Sequence, residues 1–293
     1  MMMAVLAHGG ELTGRHDVLS TWAWDPLVLA AVIVSCWSYA VGARALWRSA
    51  GRGEVVSRSQ VAAYVLAMTA VFIALVSPLD PAAEALFSAH MTQHVLVTLV
   101  AAPLFVIAAP LQVLAWGLPP RLRRTTARWH GRVRRLLRHP ALPAVGLTLF
   151  LGVFVAWHVP ALYDAALASD VLHGVEHATM LAAALALWAP VVHPRRTAPG
   201  VGVLLLFISM IATGILSALL VFSPVPWYAH DPAAGWGVTA LTDQQAAGAI
   251  MWVLGGGIHI AAGAAAVLRW LSADEQSAHR LERHGRVPGA AAG

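Results

Sequence analysis

Apolar residues in this chain fall in long unbroken runs rather than in the short alternations of a half-buried strand. Seven such runs, roughly 26–47, 60–78, 90–110, 142–158, 171–192, 201–222 and 245–270, follow one another with short polar stretches between them. About 20 mostly apolar residues carry an α-helix across the hydrocarbon of a bilayer. Lipid offers backbone amides no partners, so a spanning segment is a helix or part of a closed barrel, and runs this long predict helices. The expected fold is all-α: a polytopic membrane protein with a seven-transmembrane-helix bundle over 26–271, a tail at 1–25 and a mobile tail at 272–293. Pro160 should stop the short fourth helix just past His158, because proline has no N–H and crowds the preceding turn. Asp80-Pro81 reads as a helix start, a capping acid followed by proline at the first position, which extends the third helix outward through Glu84.

Composition agrees with this pattern. With 59% hydrophobic and 11% charged residues, the 293-residue chain is no ordinary soluble domain. The 19 cationic residues are all arginine, and 18 of them cluster in alternate loops and at the C-terminus, eight between Arg121 and Arg138. Arg15 alone lies on the other side, where Asp80, Glu84, Asp164, Asp170, Asp231 and Asp243 gather. The positive-inside rule then predicts the N-terminus outside and the C-terminus inside. The net charge of +5 is thus a topology signal and not a nucleic-acid footprint. The segment Arg121–Arg138, with Trp129, fits either a basic helix on anionic membrane lipid or a solvated loop. The first residues, MMMAVLAHGG, lack the charged start of a secretory leader, so no cleaved signal peptide is expected. A lone cysteine, Cys36, excludes an internal disulfide and reads by default as a buried apolar thiol.

Candidate chemistry lies in the histidines. His90 and His94 are four apart, as are His173 and His177, with Glu176 between the latter pair; His158 closes the fourth run. Residues four apart share a helix face, with Cβ atoms about 5–6 Å apart. The third and fifth helices run inward and the fourth outward, so all five histidines reach one depth near the outer boundary. A single interfacial histidine is commonly an anchor with its polar tip in water. Two pairs and a fifth at one depth favour a shared site, since intramembrane ionisable groups are expensive. Neutral imidazole suits copper, zinc, iron and nickel, and thioether favours copper(I). The candidate metal ligands are therefore His90, His94, His158, His173 and His177. Met91, beside His90, is a further, soft candidate ligand, and Met180 lies three residues past His177. Glu176 is either a ligand or a partner that orients an imidazole. His94, His158 and His177 should approach one another. Ligand imidazoles must be deprotonated, so binding should weaken as pH falls through roughly 6.5. His259 falls in the inner half of the seventh run, where an interhelical hydrogen bond is expected. No phosphate loop, nucleophile elbow or HExxH occurs, and HGVEH has its glutamate in the wrong place for a zincin. The chain is thus read as no enzyme. Copper is the first reading for the cluster; haem held by two histidines between helices three and five, or a metal-free scaffold, stay open.

Three segments, HMTQH, WHVPALYDAAL and HGVEHATMLAAALALWAP, resemble the CtaG family of cytochrome c oxidase assembly factors, the kind associated with caa-type oxidases. The resemblance covers about residues 26–270. It implies a multi-pass protein of the bacterial plasma membrane, needed to make an active haem–copper oxidase, with an oxidase subunit as partner and copper delivery as a supposed role. It carries over to His90, Met91, Gln93 and His94, to Trp157, His158, Pro160, Tyr163 and Asp164, and to His173, Glu176 and His177. The first helix, the arginine loop and the tail match no motif of that family.

Overall fold

A computed structural model describes residues 21–137, 139–193, 200–229 and 236–285, and the described residues form eleven helices. In order they are α1 (Pro26–Ala50), α2 (Arg58–Leu75), α3 (Leu79–Ala85) and α4, which runs Phe87–Val95, then through a π-helical turn Leu96–Ala101, to Ala102–Ala108. Next come α5 (Pro110–Gly117), α6 (Pro120–Leu136), α7 (Leu142–Trp157), α8 (Pro160–Leu167), α9 (Asp170–Val192) and α10 (Val201–Phe222). The last, α11, joins Ala240–Ile250 through a second π-helical turn, Met251–Gly255, to Gly256–Gly285. No strand occurs among the described residues. Six of these helices are long and apolar enough to cross a membrane, or seven if α7 and α8, bent by 72° at the break before Pro160, count as one span.

Local sequence sets most boundaries. The Asp25 carboxylate accepts from the amides of Leu27 and Val28 and starts α1. Ser57 and Gln60 close a reciprocal capping box at α2. The π turn in α4 precedes Pro103, which has no N–H for the carbonyl of Leu99 and whose ring would crowd it; a wider turn relieves both. The freed polar groups are satisfied inside the bundle: Thr98 Oγ1 donates to the His94 carbonyl at 2.6 Å, and Trp188 Nε1 to the Thr98 carbonyl at 3.0 Å.

Four expectations from the sequence change here. The third helix does not extend unbroken through Glu84, because Leu86 is extended (φ −133°, ψ 128°) and separates α3 from α4. Asp80 sits inside α3 and not at its cap; its Oδ1 accepts from Gln93 Nε2 at 2.7 Å, so a tertiary partner replaces the expected local one. The last helix continues past residue 271 to Gly285. Cys36 is exposed, at an open groove between α1 and α2 that Tyr39, Tyr64 and Met68 also line.

Close backbone approach fixes the helices around the histidines. A Cβ on Gly146 of α7 would stand 2.5 Å from the carbonyl oxygen of Ala186 in α9. One on Gly248 of α11 would meet the Ser217 carbonyl of α10 at 2.9 Å. Small residues at such crossings are the usual means by which membrane helices pack without a hydrophobic drive between them. The central core joins Leu99, Phe150, Leu187, Trp188 and Leu206, where α4, α7, α9 and α10 meet. A second cluster nearer the histidines holds Phe87, Met91, Phe154, Tyr163, Met180, Tyr228 and Met251.

Candidate metal centre

The site begins with the placement of α4. Its first turn has no capping side chain of its own. Instead Asp243, in the first turn of α11, accepts from the amide of Phe87 at 2.6 Å and of Ser88 at 3.1 Å. A carboxylate at a helix N-terminus satisfies orphan donors and complements the helix dipole. His90 and His94 then follow on the inward face. Gln93, between them, donates both to Asp80 and to the Ala74 carbonyl, each at 2.7 Å, and so locks α4 to α2 and α3. On α7, the break before Pro160 leaves His158 at the helix end, and Tyr228 donates to its carbonyl at 3.1 Å. On α9, Ser169 caps the helix and His173, Glu176 and His177 follow one turn later.

All five histidines converge. Ring centroids lie 4.5 Å apart for His90 and His94, 5.2 Å for His90 and His173, 5.3 Å for His94 and His177, and 6.2 Å for His94 and His158. The expected approach of His94, His158 and His177 is therefore found. Glu176 is fully buried and central: its Oε1 lies 3.4 Å from His90 Nε2 and 3.3 Å from His94 Nε2. Tyr163 sets its ring edge against His90 at 5.2 Å. Met91 is also buried, but in the apolar cluster with Phe154, Met180 and Met251.

Tautomers follow from the partners. His158 Nδ1 faces the Phe154 carbonyl at 2.7 Å, and His177 Nδ1 faces the His173 carbonyl at 3.1 Å. A carbonyl only accepts, so both imidazoles carry their proton on Nδ1 and present a bare Nε2. Neither Nε2 has a hydrogen-bond partner, nor has His173 Nε2, His90 Nδ1, either nitrogen of His94, Glu176 Oε2 or the Tyr163 hydroxyl. Buried polar atoms are nearly always paired, so this many orphans in one place need an explanation. The spacing supplies one. Charge-assisted N–H···O bonds run about 2.7–2.9 Å, shorter than either Glu176 contact. Ligand atoms about 2.0–2.1 Å from a tetrahedral metal stand about 3.3–3.4 Å from one another. One atom each from His90, His94 and Glu176 lie within 4.8 Å of one another. The donor set therefore fits a metal ion.

His259 departs from expectation. Its Nδ1 bonds the Gly255 carbonyl of its own helix at 2.8 Å, not a neighbouring helix, and its Nε2 has no partner. Asp243 was legible only as an outer acid: nothing in the sequence links it to amides 155 and 156 residues away.

Fold and site together define a polytopic membrane protein with five imidazoles and one carboxylate gathered inside its bundle. The chain belongs to the cytochrome c oxidase caa3 assembly factor family (Caa3_CtaG), whose match covers residues 37–273 and so takes in every one of those side chains. Proteins of Mycobacterium bovis and of Mycobacterium tuberculosis, both described as uncharacterized, are each 28% identical to it over 283 residues. That stretch is 91% of this chain but 42% of each relative, so the chain spans less than half the length of the curated relatives it matches. No solved structure matches.

Proposed function

We propose that this protein takes up copper at the outer face of the bacterial plasma membrane and hands it to a cytochrome c oxidase subunit during assembly. His90, His94 and Glu176 form the holding group, with His173, His177 and His158 around it as further ligands or as stations for the ion's transfer. The observation that carries this reading is the set of unpartnered buried nitrogens and oxygens around Glu176, spaced as metal ligands are. The 18-to-one arginine asymmetry supports an outside N-terminus, an inside C-terminus and seven spans, which puts the cluster at the outer boundary. Glu176 neutralises part of the bound charge and helps to hold the ion in a low-dielectric site, where an uncompensated charge is costly. Copper is preferred to haem because the cavity beside the cluster measures about 30 Å³. Sites for ligands of cofactor size run to roughly 300 Å³ or more.

The test is copper content of detergent-purified protein from copper-supplied cells, alongside oxidase activity of the membranes. The double variant His94→Ala/His177→Ala should insert and fold, lose most of its copper, and leave the oxidase inactive. Full copper retention by the variant, or a wild-type protein without copper, would replace metal delivery by a metal-free assembly scaffold.

A further inference from the structure

The small cavity of about 30 Å³ beside the histidine cluster extends past it to side chains that the outer site does not use. Its walls combine three thioethers, Met91, Met180 and Met251, with the imidazoles of His94, His158 and His259. All six side chains are at least nine-tenths buried. His158 and His259 each carry the Nδ1 proton toward a backbone carbonyl of their own helix, which leaves each Nε2 as a free lone pair without a partner. Both π-helical turns border this cavity, one through Thr98 and Leu99 of α4, the other through Met251 and Gly255 of α11. Isolated π turns recur at functional sites because they re-aim side chains within an otherwise regular helix. His259 follows Met251 by eight residues, about 12 Å along α11 at 1.5 Å per residue, so the lining leads inward from the cluster.

We propose that this cavity is a second cation site, selective for a soft monovalent ion such as copper(I), with Met180, Met251 and His259 as its distinguishing ligands. Thioether sulfur is soft and neutral, and it favours copper(I) over the divalent ions that imidazole and carboxylate accept. The two levels therefore differ in kind. The outer group has a carboxylate that offsets the ion's charge, whereas the inner group has no charged ligand and suits a singly charged ion, which is cheaper to bury. A cavity of this volume admits one ion or a water and little else. His94 borders both levels, so copper(I) could move between them without a change of oxidation state. This rests on the copper reading above and deepens it by giving an oxidation state and a second position; its distinguishing ligands, Met180, Met251 and His259, lie outside the outer group.

The experiment is an anaerobic copper(I) titration of the full-length purified protein, read by bound stoichiometry and by X-ray absorption at the copper edge. Wild-type protein should bind a second equivalent and show sulfur scattering. The variant Met180→Leu/Met251→Leu, near-isosteric and so expected to fold, should lose one equivalent and the sulfur shell. His259→Ala should weaken the same equivalent, which gives a second route if the methionine variant unfolds. His90→Ala/Glu176→Gln should lose the other equivalent and keep the sulfur. Nitrogen and oxygen scattering alone, with stoichiometry unchanged in the methionine variant, would overturn the inner site and leave the outer reading standing. Loss of both equivalents in a folded methionine variant would merge the two levels and equally overturn it. Sulfur-bound copper unaffected by His90→Ala/Glu176→Gln, and no other copper, would instead sink the outer reading and leave the inner site.

Discussion

Helices α1 and α4 are equally apolar on average, yet 17% of the spanning window of α1 is buried against 56% for α4. The first turns Leu27, Ile33, Val34 and Trp37 outward. The second turns His90, Gln93, His94 and Thr98 inward. In water an average of that kind would report burial. In lipid it reports only that a helix can span, because the surroundings are as apolar as the side chains. What tells inside from outside is the position of the few polar residues, each of which must find a partner or line a site.

Contact with a neighbouring helix can be broken at one atom. Gly146→Val would drive side-chain atoms into the Ala186 carbonyl and force α7 off α9. Overpacking of this kind costs about 1–3 kcal/mol, read as a lower unfolding midpoint in detergent together with weaker copper binding. Gly152, on the same helix, leaves open space where a methyl group would stand, with nothing within 4 Å, so Gly152→Ala should hold or raise the midpoint. Equal losses at both positions would remove the distinction between packed and lipid-facing surfaces.

A smaller effect is expected at the cap. Asp243→Ala should destabilise by about 1 kcal/mol, the usual loss for a helix cap, and weaken copper binding because His90 lies one turn beyond the capped amides. Unchanged affinity would mean that α4 holds its histidines in place without α11.

Asp80 gives a pH dependence. Burial pushes its carboxyl up to about 7 from an ordinary 3.8, the Gln93 hydrogen bond opposes the rise, and the carboxylates of Glu84, Asp25 and Asp170 add to it. A raised carboxyl favours the folded state while protonated. Its contribution is fully present below about 3.8 and is lost as pH rises through about 7. The unfolding midpoint should therefore fall between pH 5 and 8 by more in wild type than in Asp80→Asn, and parallel pH profiles would count against this assignment. The smallest effect belongs to α1: Ile33→Ala, on an exposed face, should shift stability by less than about 0.5 kcal/mol in a chemical unfolding series.

The sequence was most informative where one periodic signal governs one element. Run length located the spans, and the four-residue spacing put both histidine pairs on inward faces. Pro160 ended α7 where its missing N–H requires. Long-range partners were illegible. Asp80 looked like a cap and is a tertiary acceptor for Gln93; Asp243 looked like a loop charge and is the cap of a helix elsewhere. His259 was expected away from the histidine cluster, yet it lines one cavity with His94 and His158, a neighbourhood that depends on two π turns. Neither turn has a periodic signature, although Pro103 and the run Gly255-Gly256-Gly257 mark where the regular ladder is weakest.

The cap from Asp243 also has a temporal meaning. Ribosomes deliver the chain from its N-terminus, so α4 enters the membrane long before α11 exists. Until α11 arrives, the first amides of α4 lack their acceptor and Met251 and His259 are absent from the interior. The first turn of α4, from which His90 follows, therefore gains its cap only once α11 is in place.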